Sequence, residues 1–141
     1  MQSREVTILL VDDDDGDAKM VRRAFTKAGI VNPLVRAVDG MQALEMLRGE
    51  QGQDHLRPPY ILLVDINMPR MNGLDFVRAL RADPALKSAV AFIMTTSKHD
   101  ADRCAAYQLN VAGYIVKENA GEDFLDFVQL IGGYVRIVEL P

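Results

Sequence analysis

Five short apolar runs punctuate the chain: Val6 to Val11, Leu34 to Val38, Tyr60 to Val64, Val90 to Met94 and Gly113 to Val116. Four of them are nearly continuous rather than alternating, as expected of strands covered on both faces in a parallel sheet. Arg36 interrupts the second run and predicts an edge strand. Between the runs the period becomes helical. Val21, Ala24, Phe25 and Ala28 fall at i, i+3, i+4 and i+7. Ala43, Met46 and Leu47 repeat the spacing, as do Ala101, Cys104 and Ala105, which predicts an inward face with Cys104 as packing. Leu74, Val77 and Leu80 make a shorter stripe. Phe124, Phe127, Val128, Ile131 and Val135 make the longest. Gly29, Gly49 and Gly113 stand where helix ends or turns are expected. Residues 50–59 read as a polar connector closed by two prolines. Strand and helix thus alternate five times, which predicts a doubly wound α/β fold: a five-stranded parallel sheet with helices on both faces.

In such sheets the functional crevice lies outside the carboxyl ends of the strands. The first run is followed by Asp12, Asp13, Asp14 and Asp15, and the third by Asp65, Ile66 and Asn67. The fourth is followed by Thr95 and Thr96, and the fifth by Lys117. One sheet edge therefore collects carboxylates, a hydroxyl and an ammonium.

Composition narrows the reading. The 141 residues suit a single domain spanning 1–141, and 49% hydrophobic with 26% charged residues suits a folded core. Sixteen basic against twenty acidic residues give a net charge of −4, which argues against nucleic acid as a partner. The one cysteine excludes an intrachain disulfide or a cysteine-based metal site. The first residues lack the profile of a signal peptide, and no apolar run approaches a membrane span, so the expected location is the cytoplasm.

Three carboxylates from Asp12, Asp13 and Asp65 within about 5 Å would repel pairwise by roughly 3 kcal/mol at an effective dielectric near 20. Such a group takes up protons or binds a hard cation. Few carboxylates at a polar, water-accessible edge suit Mg²⁺, which keeps several waters and shares phosphate oxygens as ligands. Lys117 supplies a point charge for a phosphoryl oxygen and Thr95 a hydrogen bond. Together these groups describe phosphoryl transfer onto an aspartate.

The same residues carry a resemblance. Ile8-Leu9-Leu10-Val11-Asp12-Asp13, Leu63-Val64-Asp65-Ile66-Asn67-Met68-Pro69 with Gly73, Met94-Thr95-Thr96, and Gly113-Tyr114-Ile115-Val116-Lys117 resemble, in their joint spacing, the receiver domain of bacterial two-component response regulators. The likeness runs from about Val6 to about Val138. It implies a flavodoxin-like sheet of strand order 2-1-3-4-5 and a signalling protein, not an enzyme, that takes a phosphoryl group from a sensor histidine kinase. It implies Asp65 as phosphoacceptor, Asp12 and Asp13 as Mg²⁺ ligands with the Asn67 carbonyl, Lys117 as partner of the acyl phosphate, and Thr95 and Tyr114 as the coupled switch. The chain departs from the family at Glu118, where a proline after a cis bond is common. Asp65-X-Asn67, Thr95-Thr96-Ser97, the long connector and the ending Glu139-Leu140-Pro141 are similar to single-domain regulators, without an output domain, that partner bacterial phytochrome kinases.

Two other functions use parts of the same pattern. Asp12-X-Asp14 also matches the opening motif of haloacid-dehalogenase-type phosphatases, with Asp12 as nucleophile and Asp14 as general acid, but that reading leaves Asp65 to Pro69 without a task. A flavodoxin-type binding module would need a phosphate-cradling first loop, and four aspartates would repel the phosphate. One of Asp14 and Asp15 is expected to cap the first helix. His55 and His99 read as surface residues. On the last helix, Leu130, Tyr134 and Ile137 lie beside the Phe127 stripe and widen the apolar arc to roughly half the circumference. This predicts a homodimer joined through Phe127, Leu130, Tyr134 and Ile137.

Overall fold

The computed structural model describes residues 5–141. Strands β1 (Thr7–Val11), β2 (Leu34–Ala37), β3 (Tyr60–Val64), β4 (Val90–Thr95) and β5 (Gly113–Val116) alternate with helices α1 (Asp15–Lys27), α2 (Gly40–Arg48), α3 (Gly73–Ala82), α4 (Asp100–Gln108) and α5 (Leu125–Ile137). All strand pairs are parallel and the order is β2-β1-β3-β4-β5. The expected fold is therefore the observed one, and the strand containing Arg36 lies at an edge.

Successive side chains of a strand point to opposite faces, so each central strand feeds two cores. Leu9, Val11, Leu62, Val64, Ala91 and Ile93 pack with α2 and α3 through Ala43, Leu47, Phe76 and Leu80. Ile8, Leu10, Ile61, Leu63, Phe92 and Met94 pack with α1 and α5 through Val21, Phe25, Phe127 and Ile131. That double cover is why these runs are apolar without alternation. Helix ends follow local chemistry. The carboxylates of Asp14 and Asp39 and the amide oxygen of Asn72 accept from backbone N–H groups three residues on, starting α1, α2 and α3. Gly49, at φ 68°, ends α2 in the left-handed conformation.

Gly113 opens β5, where the fifth apolar run begins. Two expectations need correction. In α4, Ala106 is buried while Ala101 and Cys104 are exposed. The inward face runs through Asp102, Ala105, Ala106 and Leu109, one residue, or about 100°, from the stripe of small apolar residues. The pattern misses it because Asp102 turns inward to accept a hydrogen bond from Ser97 Oγ at 2.6 Å. Finally, Phe127 is 2% exposed and belongs to the core, so of the four proposed contact residues it is not available to a partner. Leu130 and Ile137 face outward at 52% and 74% exposure. Tyr134 is half-buried, its ring edge-on to Phe92 with centroids 5.1 Å apart.

Candidate functional site

Strand register brings the acidic groups together. Val11 pairs with Val64 across β1 and β3, so the next residues, Asp12 and Asp65, leave the sheet side by side. The Asp65 N–H donates to the Val11 carbonyl at 2.9 Å, and the Asp12 N–H to that of Ala37 at 3.1 Å. Asp12 is 1% and Asp65 8% exposed, while Asp13 stands at the mouth. One carboxylate oxygen from each of the three lies within 4.8 Å of the others. Asn67 follows, exposed, two residues beyond Asp65. The chain then turns so closely that a Cβ on Gly73 would fall 2.0 Å from the Asp65 carbonyl oxygen. Glycine at this position lets α3 start beneath the acidic loop.

Lys117 enters from the far side of the sheet. Thr95 and Val116 are paired across β4 and β5, which places Lys117 one step beyond the end of β5. Its side chain is 8% exposed. Nζ donates to Asp12 Oδ2 at 3.1 Å, Asp65 Oδ2 at 3.2 Å and Asp17 Oδ2 at 2.6 Å. The bond from Lys117 to Glu118 is trans, and the lysine reaches the site regardless. Glu118 instead forms an exposed ion pair with Lys98.

Electrostatics match this packing. Burial pushes the Asp12 carboxyl up to about 6, against the Asp14 N–H bond and the Lys117 charge, with the Asp65 charge adding to the rise. Burial also works against the charge of Lys117, but the Asp17 hydrogen bond and the Asp12 and Asp65 charges outweigh it and hold the ammonium above its usual range. Asp65 Oδ1 is buried with no hydrogen-bond partner among the described residues, while Oδ2 is held by Lys117. A clustered set of hard oxygen donors containing an unsatisfied buried oxygen fits a divalent cation such as Mg²⁺.

Thr95 ends β4 fully buried, whereas Thr96 is exposed. The Ser97 N–H donates to Thr95 Oγ1 at 3.3 Å, and the Tyr114 hydroxyl donates to the Ser97 carbonyl at 2.9 Å. The two expected switch residues thus meet through one residue of the loop between β4 and α4. Asp17 was not anticipated from the sequence. Its only signal was position: it lies in the first turn of α1, after the acidic loop.

The rival chemistries lose their parts. Asp14 caps α1, its carboxylate accepting the Asp17 N–H at 2.9 Å, so it is not free to act as a general acid beside Asp12. Asp15 pairs with Arg36 at 2.6 Å. A loop built from these acidic groups offers no cradle for a flavin phosphate.

The comparisons agree with the site. Residues 8–129 match the family model described as the response regulator receiver domain. Response regulator Rcp1 of Synechocystis sp. is 29% identical over 135 residues, covering 95% of this chain and 92% of that protein. The crystal structure of its Mn(2+)-bound form superposes with a TM-score of 0.85 over 96% of this chain and 98% of that one. The phosphorylated cyanobacterial phytochrome response regulator RcpA is 27% identical, with a TM-score of 0.86 over 96% and 97% of the two chains. Response regulator RPA3017, in red light signaling of R. palustris, is 30% identical, with a TM-score of 0.79 over 96% and 97%. With an acidic pocket, a buried lysine and a threonine at the expected strand ends, and a family match over most of its length, this chain belongs to the response regulator receiver domain family.

Proposed function

We propose that Asp65 is the phosphoacceptor of this regulator, taking a phosphoryl group from the phosphohistidine of a sensor histidine kinase. The observation that carries the reading is the state of its carboxylate: Oδ2 is held by Lys117 and Oδ1 is buried without a partner among the described residues. In the transfer a P–O bond forms to Asp65 as the P–N bond breaks, and the imidazole leaves with the bonding pair. Asp12, Asp13, Asp65 and the Asn67 carbonyl hold Mg²⁺, which when bound offsets the charge of the carboxylates and of the phosphoryl oxygens. Lys117 orients the acceptor and then takes a phosphoryl oxygen. Thr95 turns toward the new group, and Tyr114 follows through Ser97.

The kinase is a bacteriophytochrome, a reading supported by the phytochrome and red-light regulators among the similar structures. The receiver-domain match supports a cytoplasmic location; among the described residues no helix is long and apolar enough to cross a membrane. The chain signals as a homodimer through the outer side of α5, where Leu130 and Ile137 are exposed. Intact mass after incubation with Mg²⁺ and acetyl phosphate tests the central reading. One added phosphate is expected for the unmodified protein and none for Asp65→Asn. Undiminished labelling of Asp65→Asn would overturn it.

A further inference from the structure

Lys117 Nζ has three hydrogens and three carboxylate partners, and the shortest contact is to neither the acceptor nor the metal cluster. It is to Asp17 Oδ2, at 2.6 Å, against 3.1 and 3.2 Å to Asp12 and Asp65. Asp17 is itself held in place. Its backbone N–H is fixed by the Asp14 carboxylate at 2.9 Å, and it occupies the first turn of α1. The residue after Lys117 is glutamate, and the backbone beyond the lysine is a short 3₁₀ turn, Lys117–Asn119. The ammonium sits about five side-chain bonds from that backbone and depends on its partners for position. Asp12 and Asp65 are the groups that a cation and a phosphoryl group would engage. Asp17 is the partner left unchanged by either event.

We infer that Asp17 is a positioning residue for the phosphoacceptor reaction: it anchors the Lys117 ammonium from the first turn of α1 and keeps it aimed at Asp65 while Asp12 and Asp65 change partners. The run of four aspartates and the one after it then divide their tasks. Asp12 and Asp13 face the cation, Asp14 caps α1 and so fixes Asp17, Asp15 ties the loop to Arg36, and Asp17 holds the lysine. Anchoring by a charge-assisted hydrogen bond occupies one of the three ammonium hydrogens and leaves the one to Asp65 in place. Once Asp12 turns to a cation, one of its three hydrogens is released for a phosphoryl oxygen.

The inference rests on the reading of Asp65 as acceptor, and the experiment separates the two. Asp17→Ala removes the anchor. Asp17→Asn keeps a carbonyl oxygen that can accept from Nζ. Labelling by acetyl phosphate with Mg²⁺ is followed by intact mass. In metal-free protein, the ¹⁵N-detected ammonium signal of Lys117, assigned by its loss in Lys117→Met, reports whether Nζ is held away from water exchange. Thermal melts verify that both variants are folded at the assay temperature. Asp17→Ala is expected to label roughly tenfold more slowly, as displaced catalytic groups do, and to lose the protected ammonium signal. Asp17→Asn is expected to recover most of both. Wild-type labelling rate together with a protected Lys117 signal in Asp17→Ala would overturn the anchor. If the unmodified protein labels at a residue other than Asp65, the acceptor reading falls, while the metal-free ammonium signal still decides whether Asp17 holds Lys117.

Discussion

Arg70 and Asp39 join two loops of the crevice through a two-pronged ion pair: Arg70 Nε donates to Asp39 Oδ2 at 2.7 Å and Nη2 to Oδ1 at 3.0 Å. Asp39 is 3% exposed and also caps α2 by accepting the Gln42 N–H. Arg70 lies five residues past Asp65 with φ of 62°, in the left-handed region that ordinary side chains seldom adopt. The Gly40 N–H donates to the Met71 carbonyl at 3.1 Å beside it. The loop that follows Asp65 is thus clamped to the start of α2.

Removing the clamp gives a pH-dependent outcome. Burial pushes the Asp39 carboxyl up, but the bonds from Arg70 and Gln42 outweigh it and hold the carboxyl below its usual range. A depressed folded-state value stabilises the protein above the unfolded value and is lost as pH falls through the folded one. Arg70→Ala should therefore lower the urea midpoint at neutral pH and lower it much less in acid. Equal losses at both pH values would show that the pair works by packing alone.

Asp12 runs the other way in metal-free protein. Its carboxyl is raised from 3.8 to about 6, so the folded state binds the proton more tightly than the unfolded one. The stability it contributes is full below the unfolded value and is lost as pH rises through about 6. On the order of 3 kcal/mol should disappear from the metal-free protein over that interval. Asp12→Asn should flatten the profile. Mg²⁺ at a hundred times its dissociation constant should restore about 2.7 kcal/mol at neutral pH by binding the folded state, and Asp13→Asn should blunt that recovery. Melting curves across pH, with and without Mg²⁺, measure all three.

The path from Thr95 to Tyr114 through Ser97 predicts a separable switch. Tyr114→Phe removes the donor to the Ser97 carbonyl and should cost about 1 kcal/mol of stability, while labelling of Asp65 proceeds. Thr95→Ala should also label. In both variants hydrogen exchange over β4, α4 and β5 should respond less to phosphorylation than in the unmodified protein. Full response in Thr95→Ala would remove the threonine from the path.

The outer side of α5 offers a test of self-association that spares the core. Tyr134 packs edge-on against Phe92, so an acidic residue there would strike the fold as well as any contact. Leu130, 52% exposed, is the better probe. Leu130→Asp should leave the melting temperature within a few degrees and convert a dimer of the unmodified protein to monomer, measured by light scattering at micromolar concentration. A monomer before substitution, phosphorylated or not, would dispose of the α5 dimer.

Much of the molecule was legible beforehand, for identifiable reasons. Strands buried on both faces must be apolar at every position, so the runs containing Leu9, Leu62 and Ile93 declared themselves and their parallel pairing together. Asp12, Asp65, Thr95 and Lys117 stand at or just past strand ends, where a doubly wound sheet has its crevice, so their grouping followed from order along the chain. The face of α4 was not legible, because its inward residues include Asp102, held by Ser97 from a preceding loop. Phe127 was read correctly as part of a stripe and wrongly as a contact residue, because periodicity gives an angle around a helix but not which neighbour fills it.

By itself the sequence determined the alternation of strands and helices, their parallel arrangement, an aspartate cap on α1 and the identity of the residues at the strand ends, since each depends on periodicity or on chemistry within a few positions. Tertiary structure alone decided which oxygens Lys117 holds, that Asp17 is the nearest of them, that Arg70 clamps Asp39, and that Asp65 keeps one oxygen unpartnered among the described residues. Those are contacts between groups 31 to 105 positions apart, set by strand register and by the direction in which each loop leaves the sheet. No local pattern encodes such distances, because they are fixed only when two packed cores bring the loop ends to within a hydrogen bond of one another.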